Sequence, residues 1–261
     1  MSNSDFMNVA LEAIEAAGRI LIENYGRIQV KEKENWHELV TKTDIDANMY
    51  ILDILKKNFP DHSIVTEEAP KVEKHSEYTW YVDPLDGTTN YTLQIPFVCS
   101  AIGLAKNNMP ILGVVFNPLT SEIFTGEKGK GAFLNNKPIH VSDNSDIKKT
   151  LVNYCHVSKQ KDVSLMTKLY PVFKSESRDF RRLASGNLDF CWIACGRNDV
   201  YFRTSPILWD VIPGLVIATE AGAKTTDWNN KEWTFESDTL LTTNGKLHYK
   251  VMGMIKENLH E

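Results

Sequence analysis

WYVDPLDGTTN, residues 80–90, begins as an apolar strand and ends with two acids, a proline and a glycine. A residue before proline is held extended and proline fixes its own φ, so Asp83 and Asp86 are predicted to stand at a set separation. Rigid paired carboxylates suit a hard cation. Asp-Pro and Asp-Gly are also common turn dipeptides, so a solvated turn is the plain alternative.

The residues that follow favour an anion site beside the cation site. Gly87 lets backbone approach a ligand closely, and Thr88-Thr89-Asn90 is typical of a helix start, whose free N–H groups bind anions. Hydrolysis of a phosphate monoester needs this adjacency, because metal ions neutralise phosphoryl oxygens and activate water. With no histidine or cysteine nearby in the sequence, Mg²⁺ is expected and zinc is not.

Composition predicts a folded, soluble protein that does not bind nucleic acid. The 261 residues are 42% hydrophobic and 24% charged, near the globular average, and no run approaches the roughly 18 apolar residues of a membrane span. A net charge of −5 lacks the basic face of a nucleic-acid binder. The N-terminus does not resemble a secretory signal, so cytoplasmic residence is expected, and the four cysteines are interpreted as buried apolar residues.

Residue periodicity predicts helices and strands that mix without strict alternation. The predicted helices are Asp5 to Tyr25, Thr43 to just before Pro60, 160–174, 184–196 and Leu208 to Ala221. The predicted strands are Ile64 to Thr66, Tyr78 to Val82, Val98 to Ala105, Ile111 to Asn117, Ile123 to Thr125 and Ala132 to Leu134. A hairpin turn is predicted at Asn107-Asn108, and the glycine-rich loop Gly126 to Gly131 is predicted to be a surface turn, because it lacks the Lys-Ser/Thr ending of a nucleotide P-loop. We expect layered helices and sheets in one domain, 1–261, with a loose division into 1–150 and 151–261.

Two further acidic segments, Thr66-Glu67-Glu68 and Trp209-Asp210, are each explained individually by a solvated edge or a helix dipole. Taken with residues 80–91, however, they make the sequence resemble the inositol monophosphatase family in three separated blocks. The blocks are TEE at 66–68, WYVDPLDGTTNY at 80–91 and WDVIPGLVIATEAGA at 209–223, with weaker likeness in VTKTD at 40–44, GKGAFLNNKPI at 129–139 and FRRLASGNLDF at 180–190. The resemblance covers nearly the whole chain.

This resemblance implies a mixed α and β fold, the layered αβαβα sandwich of the sugar phosphatases, which include fructose-1,6-bisphosphatase. It also implies a dimeric, lithium-sensitive phosphatase with two to three Mg²⁺ ions, replaceable by Mn²⁺, that hydrolyses small phosphate monoesters such as inositol 1-phosphate by direct attack of metal-activated water. The positions that match the family's metal ligands are Glu67, Asp83, the carbonyl of Leu85, Asp86 and Asp210. Thr88, paired with Glu67, matches the group that orients and deprotonates the water.

The resemblance places the substrate against a second set of residues. These are Asp86, the N–H groups of Gly87 and Thr88, Ser185, Gly186, Arg203 and Asp210. Ala184-Ser185-Gly186 stands where relatives often have Gly-Ser-Ala, which predicts a reshaped floor under the sugar.

Arg203 departs from the family pattern. In inositol-hydrolysing relatives an acid stands seven residues before the WD aspartate, and arginine cannot accept a hydrogen bond from a hydroxyl but binds phosphate bidentately. The alternative substrate is therefore doubly anionic, such as fructose 1,6-bisphosphate or the 2′-phosphate of NADP(H). Arg181 and Arg182 are interpreted as surface charges.

Two other classes of protein remain as alternatives. An aspartyl-phosphate phosphatase of the haloacid dehalogenase type needs acids two residues apart, whereas Asp83 and Asp86 are three apart. A regulatory or scaffold protein that kept the fold and lost turnover is disfavoured, because every expected ligand type is present.

Overall fold

The computed structural model describes residues 3–27, 30–32, 39–156 and 159–259. Seven α-helices lie in these ranges, and two 3-10 turns lie at Ile147–Lys149 and Leu208–Asp210. The helices are α1 (Asn3–Asn24), α2 (Lys42–Asn58), α3 (Thr88–Thr92), α4 (Gln160–Glu176), α5 (Gly186–Ala194), α6 (Ile212–Glu220) and α7 (His248–Leu259).

Fourteen strands lie in the same described ranges. The strands are β1 (Val30–Glu32), β2 (Leu39–Thr41), β3 (Ser63–Thr66), β4 (Tyr78–Asp86), β5 (Cys99–Lys106), β6 (Met109–Asn117), β7 (Glu122–Glu127), β8 (Gly131–Leu134), β9 (Lys137–Ile139), β10 (Leu151–Cys155), β11 (Asp179–Arg181), β12 (Val200–Thr204), β13 (Lys224–Thr226) and β14 (Thr239–Thr243). They form a small β1-β2 pair, a seven-stranded sheet in the order β3 to β9, and a five-stranded sheet in the order β11-β10-β12-β14-β13.

The layers alternate between helices and sheets. One face of the seven-stranded sheet packs on α1 and α2, and its other face packs on α5 and α6. The five-stranded sheet lies beyond α5 and α6, and its far face, with Phe180 and Phe202, packs on α4 and α7. The predicted αβαβα sandwich is therefore confirmed.

Close contact between α6 and the seven-stranded sheet depends on glycine. A Cβ added at Gly113 would lie 2.0 Å from the carbonyl oxygen of Pro213, and one at Gly103 would lie 2.9 Å from Ile212. Only glycine leaves room for the helix backbone at such positions. This packing fixes the start of α6, and Asp210 lies directly before it.

The predicted elements of the first half are all present, with small changes in their bounds. The strand predicted at Tyr78 to Val82 extends to Asp86, because Pro84 lies where the β4-β5 register shifts and no ladder N–H is required. Asn107 and Asn108 both have positive φ, as a tight hairpin turn requires. In the second half, no prediction covered β10 to β14 or α7.

The two large sheets divide the chain near the predicted place, since the first uses residues 63–139 and the second residues 151–243. The single-domain organisation stays a prediction. Cys99 and Cys191 are buried, Cys155 and Cys195 are partly buried, and all four are free thiols. Within the described ranges, no helix has the length and apolar content needed to cross a membrane.

Candidate active site

Three acids lie at one end of the seven-stranded sheet. β3 and β4 are parallel and pair Thr66 with Val82, so Glu67 follows the end of β3 beside Asp83. The N–H of Glu67 donates to the carbonyl of Val82 at 3.3 Å, which fixes this placement. Asp83 and Asp86 flank the register shift at the end of β4, and both are buried.

Asp86 binds the first turn of α5. Its Oδ2 accepts hydrogen bonds from the backbone N–H of Asn187 at 2.8 Å and from the Asn187 side chain at 3.1 Å, and its Oδ1 accepts from Gly186 at 3.3 Å. A carboxylate is favourable at a helix N-terminus, where N–H groups lack helical partners. The Asn187 Nδ2 also donates to the carbonyl of Trp209, so one side chain connects Asp86 to the segment that carries Asp210.

Thr88 lies next to an acid that the sequence did not single out. Its hydroxyl is 3.2 Å from Oδ1 of Asp44 and 3.2 Å from the carbonyl oxygen of Leu85. Asp44 is held in place by a capping box at the start of α2, in which Asp44 and Thr41 bond to each other reciprocally. The predicted pairing of Thr88 with Glu67 stays a prediction; Asp44 is the acid whose bond to Thr88 is observed.

The backbone conformation at position 87 favours glycine. Its φ is +95°, and an added Cβ would lie 3.0 Å from the carbonyl oxygen of Phe97. The predicted helix start at Thr88 is confirmed, although α3 has only five residues. Gly87 thus allows the turn that brings Thr88 beside Asp44.

Asp210 lies in the 3-10 turn before α6 and forms an ion pair. Its Oδ2 accepts from Nη2 of Arg203 at 3.0 Å. Arg203 is 1% exposed, so the cation that was expected to meet a second substrate anion is instead enclosed in the protein.

Electrostatics show that these acids converge. The pKa of Asp83 is raised well above its ordinary value, first by burial and then by Glu67, Asp86, Asp210 and Asp44. Burial also raises the pKa of Asp86 to about 6, with a further contribution from Asp210. Burial likewise raises the pKa of Asp44 to about 6.

The acidic side chains described for this site are not close enough together to ligate a metal ion in this structure. In the part of the chain that the structure describes, no three His, Cys, Asp or Glu side chains are gathered closely enough to hold a metal ion as they stand. The acids thus lie within electrostatic reach of one another rather than at ligand distance.

Ser185 and Gly186 form the wall opposite Asp86, and both are buried. Ala184 has a φ of +62°, a region that glycine adopts more easily. The carbonyl oxygen of Ala184 would lie 3.3 Å from a Cβ at Gly87, so this strained turn packs directly against the β4-α3 junction.

Sequence reasoning missed two residues of this site, Asp44 and Asn187. Asp44 belongs to the VTKTD segment, whose likeness to the family was the available signal. Asn187 follows Ser185-Gly186 within FRRLASGNLDF, and nothing in its neighbourhood indicated that it bonds to Asp86.

Comparison with known proteins identifies the family of this chain. The sequence profile of the inositol monophosphatase family matches residues 2–260. The chain belongs to this family. It is 38% identical to "Inositol monophosphatase 3" of Solanum lycopersicum, with 94% of each chain covered. The solved inositol monophosphatase of Anabaena (Nostoc) sp. PCC 7120 superposes with a TM-score of 0.87 at 32% identity, covering 98% of this chain and 96% of that one.

Relatives in the inositol monophosphatase family do not all carry that name. The "Nus factor SuhB" of Pasteurella multocida is 30% identical, with 98% of this chain and 97% of its own covered. Membership confirms the predicted family and its enzyme class, phosphatase. The absence of a nucleic-acid partner stays a prediction.

Proposed function

We propose that the protein is a Mg²⁺-dependent phosphatase that hydrolyses small phosphate monoesters of the inositol 1-phosphate kind. One observation carries the proposal. In a chain of the inositol monophosphatase family, the pKa of the buried carboxyl of Asp83 is raised by four neighbouring acids, which are Glu67, Asp86, Asp210 and Asp44.

The donor set fits a hard divalent cation. All the proposed ligands offer oxygen: the carboxylates of Glu67, Asp83, Asp86 and Asp210, and the carbonyl of Leu85. The repulsion that raises the pKa of Asp83 is the interaction that a cation would reverse. We propose that these carboxylates move closer together, to ligand distance, when the cation binds. When bound, such ions neutralise phosphate oxygens and lower the pKa of water.

The side chains of this protein would then orient the reaction. The Thr88 hydroxyl donates to Asp44 or Leu85, which leaves its lone pairs to accept a hydrogen bond from the attacking water. Asp44, with a pKa near 6, would receive the proton through that hydroxyl. The N–H groups of Gly87 and Thr88 would bind the phosphate, and Ser185 and Gly186 would contact the rest of the substrate.

The doubly anionic alternative depends on an accessible Arg203. Its burial and its bond to Asp210 favour the monoester substrate over fructose 1,6-bisphosphate or the 2′-phosphate of NADP(H). We carry forward three finer expectations: two to three Mg²⁺ ions that Mn²⁺ can replace, inhibition by lithium, and a homodimer in the cytoplasm.

Phosphate release from a panel of esters, with and without Mg²⁺, tests the function. The panel contains inositol 1-phosphate, fructose 1,6-bisphosphate and NADP. We expect Mg²⁺-dependent release, loss of it in Asp86→Asn, and full activity in the exposed control Asp61→Asn. Absence of Mg²⁺-dependent release from every ester, or undiminished release by purified Asp86→Asn, would overturn the proposal.

A further inference from the structure

Arg203 lies on β12 of the five-stranded sheet, on the face that packs against the middle layer of helices, where charges are uncommon. It pairs with Cys155 of β10 and Leu240 of β14, and it shares a sheet face with Tyr201, which packs against α5 and α6. A buried guanidinium is costly unless it is paired and hydrogen-bonded. The protein must therefore provide a counter-charge.

Asp210 is that counter-charge. Of the three Arg203 nitrogens, only Nη2 makes a hydrogen bond, to Oδ2 of Asp210 at 3.0 Å; Nε and Nη1 have no partner among the described residues. The carboxylate of Asp189 interacts with the same charge, and its Oδ2 is also without a hydrogen bond in the described part of the protein.

The surroundings are shaped for this arginine. A Cβ added at Gly186 would lie 3.2 Å from Nη1 of Arg203 and 3.1 Å from the carbonyl oxygen of Asp210, so any larger residue would crowd the ion pair. The lack of a side chain at Gly186 thus leaves the room that the Arg203 guanidinium occupies.

An ion pair at Asp210 affects whatever else that carboxylate binds. Arginine stays protonated at every physiological pH, so its charge is permanent. A divalent cation at Asp210 must share the carboxylate with Arg203 and is repelled by it.

We propose that Arg203 is a positioning residue, a built-in counter-cation that holds Asp210 in the metal-free protein and weakens the binding of the divalent cation that Asp210 would ligate. This inference rests on the proposed function, because it takes Asp210 to be a ligand. It assigns Arg203 to the acid cluster rather than to a second substrate anion.

Titration of the full-length protein with Mn²⁺, followed by the electron paramagnetic resonance of the free ion, tests the inference. We expect Arg203→Met and Arg203→Gln to raise the affinity for the Mn²⁺ ion that depends on Asp210 by on the order of tenfold, because each removes one repelling charge. Arg203→Lys keeps a positive charge beside Asp210, so its Mn²⁺ affinity should stay within about twofold of the wild type. The matched control is Arg197→Met, which removes an arginine paired with Glu122 away from the site.

The double variant Asp210→Asn/Arg203→Met separates the outcomes. If the effect acts through Asp210, this variant should bind Mn²⁺ no more tightly than Asp210→Asn alone. Unchanged or weaker binding by folded Arg203→Met and Arg203→Gln would overturn the role of Arg203 while leaving the proposed function intact. If Asp210→Asn itself leaves Mn²⁺ binding unchanged, the ligand assignment fails instead.

Discussion

Asn187 donates two hydrogen bonds to the same oxygen of Asp86, one from its backbone and one from its side chain. The side chain also accepts from the N–H of Gly214 and donates to the carbonyl of Trp209. Asn187 thereby joins the end of β4 to both sides of Asp210.

We expect Asn187→Ala to weaken the site and the fold together. Its buried partners lose hydrogen bonds, which costs about 1–3 kcal/mol of unfolding free energy. The stabilisation that Mg²⁺ gives should also fall, because Asp86 loses its orientation. Thermal unfolding with and without Mg²⁺ measures both, with the exposed Asn229→Ala as control. An unaltered response to Mg²⁺ would show that Asn187 does not position Asp86.

Thr88→Ala should lower kcat by roughly 10²–10⁴-fold, the usual contribution of a positioned proton-transfer group. Thr88→Ser keeps the hydroxyl and should retain most activity. The control is Thr92→Ala, since the hydroxyl of Thr92 donates to the carbonyl of Thr89 at the helix end. Steady-state kinetics with the ester that the wild type hydrolyses fastest measure kcat for each variant. Comparable rates for Thr88→Ala and Thr92→Ala would contradict the role of Thr88.

Asp83→Asn should stabilise the metal-free protein at pH 7. Burial and four neighbouring acids make the ionised Asp83 costly, whereas an amide oxygen can still accept from the N–H of Leu85. For a chain of this size, each kcal/mol gained raises Tm by roughly 2–4 °C. Calorimetry in chelator checks this, and the variant should no longer respond to Mg²⁺. A lower Tm in chelator would contradict it.

Cation binding should weaken below pH 6. The pKa of Asp86, a proposed ligand, is about 6 in the metal-free protein, so protons compete with the cation for this carboxylate as pH falls through that value. Affinity should then drop by about tenfold per pH unit for each proton displaced. Calorimetric titration with Mg²⁺ from pH 5 to 8 measures the slope, and a flat profile would rule out Asp86 as a ligand.

His248 should make the fold acid-sensitive. Burial, aided by Lys224, lowers its pKa to about 4 from 6.5, and its ring nitrogens bond to the hydroxyls of Thr226 and Thr243. The folded state thus favours the neutral ring, so its contribution is complete above pH 6.5 and is lost as pH falls towards 4. Urea unfolding should show that His248→Gln flattens this fall while the exposed His140→Gln does not; equal slopes in both variants would disprove it.

Long periodic elements were predictable because each carries many repeats of its pattern. The stripe of α1, the Pro60 stop after α2 and the turn at Asn107-Asn108 depend on local chemistry alone. β11 and β12 are only three and five residues long, which is too short for alternation to register. β12 also contains Arg203, and a charged residue in a strand pattern is predicted to face solvent unless a buried acidic partner such as Asp210 is known.

The site was predictable only where its residues are neighbours in the sequence. The rigid Asp83-Pro84-Leu85-Asp86 stretch indicated a cation on its own, whereas the convergence of Glu67 and Asp210 came from the family resemblance. The bond between Thr88 and Asp44 spans 44 positions, and no local pattern encodes a contact of that range.

The turn predicted at Gly126 to Gly131 is shorter in the structure, residues 128–130, because β7 ends at Glu127 and β8 begins at Gly131. It lies at the sheet end opposite Asp86, as the β5-β6-β7 register shows. The carboxylate of Glu220 accepts from the amides of Gly129 and Gly131, at 3.0 Å and 2.9 Å. This glycine-rich turn, whose composition is similar to that of a nucleotide-binding loop, therefore binds an anion of the protein itself. The N–H groups of Gly129 and Gly131 are thus already occupied and are not available to a phosphate.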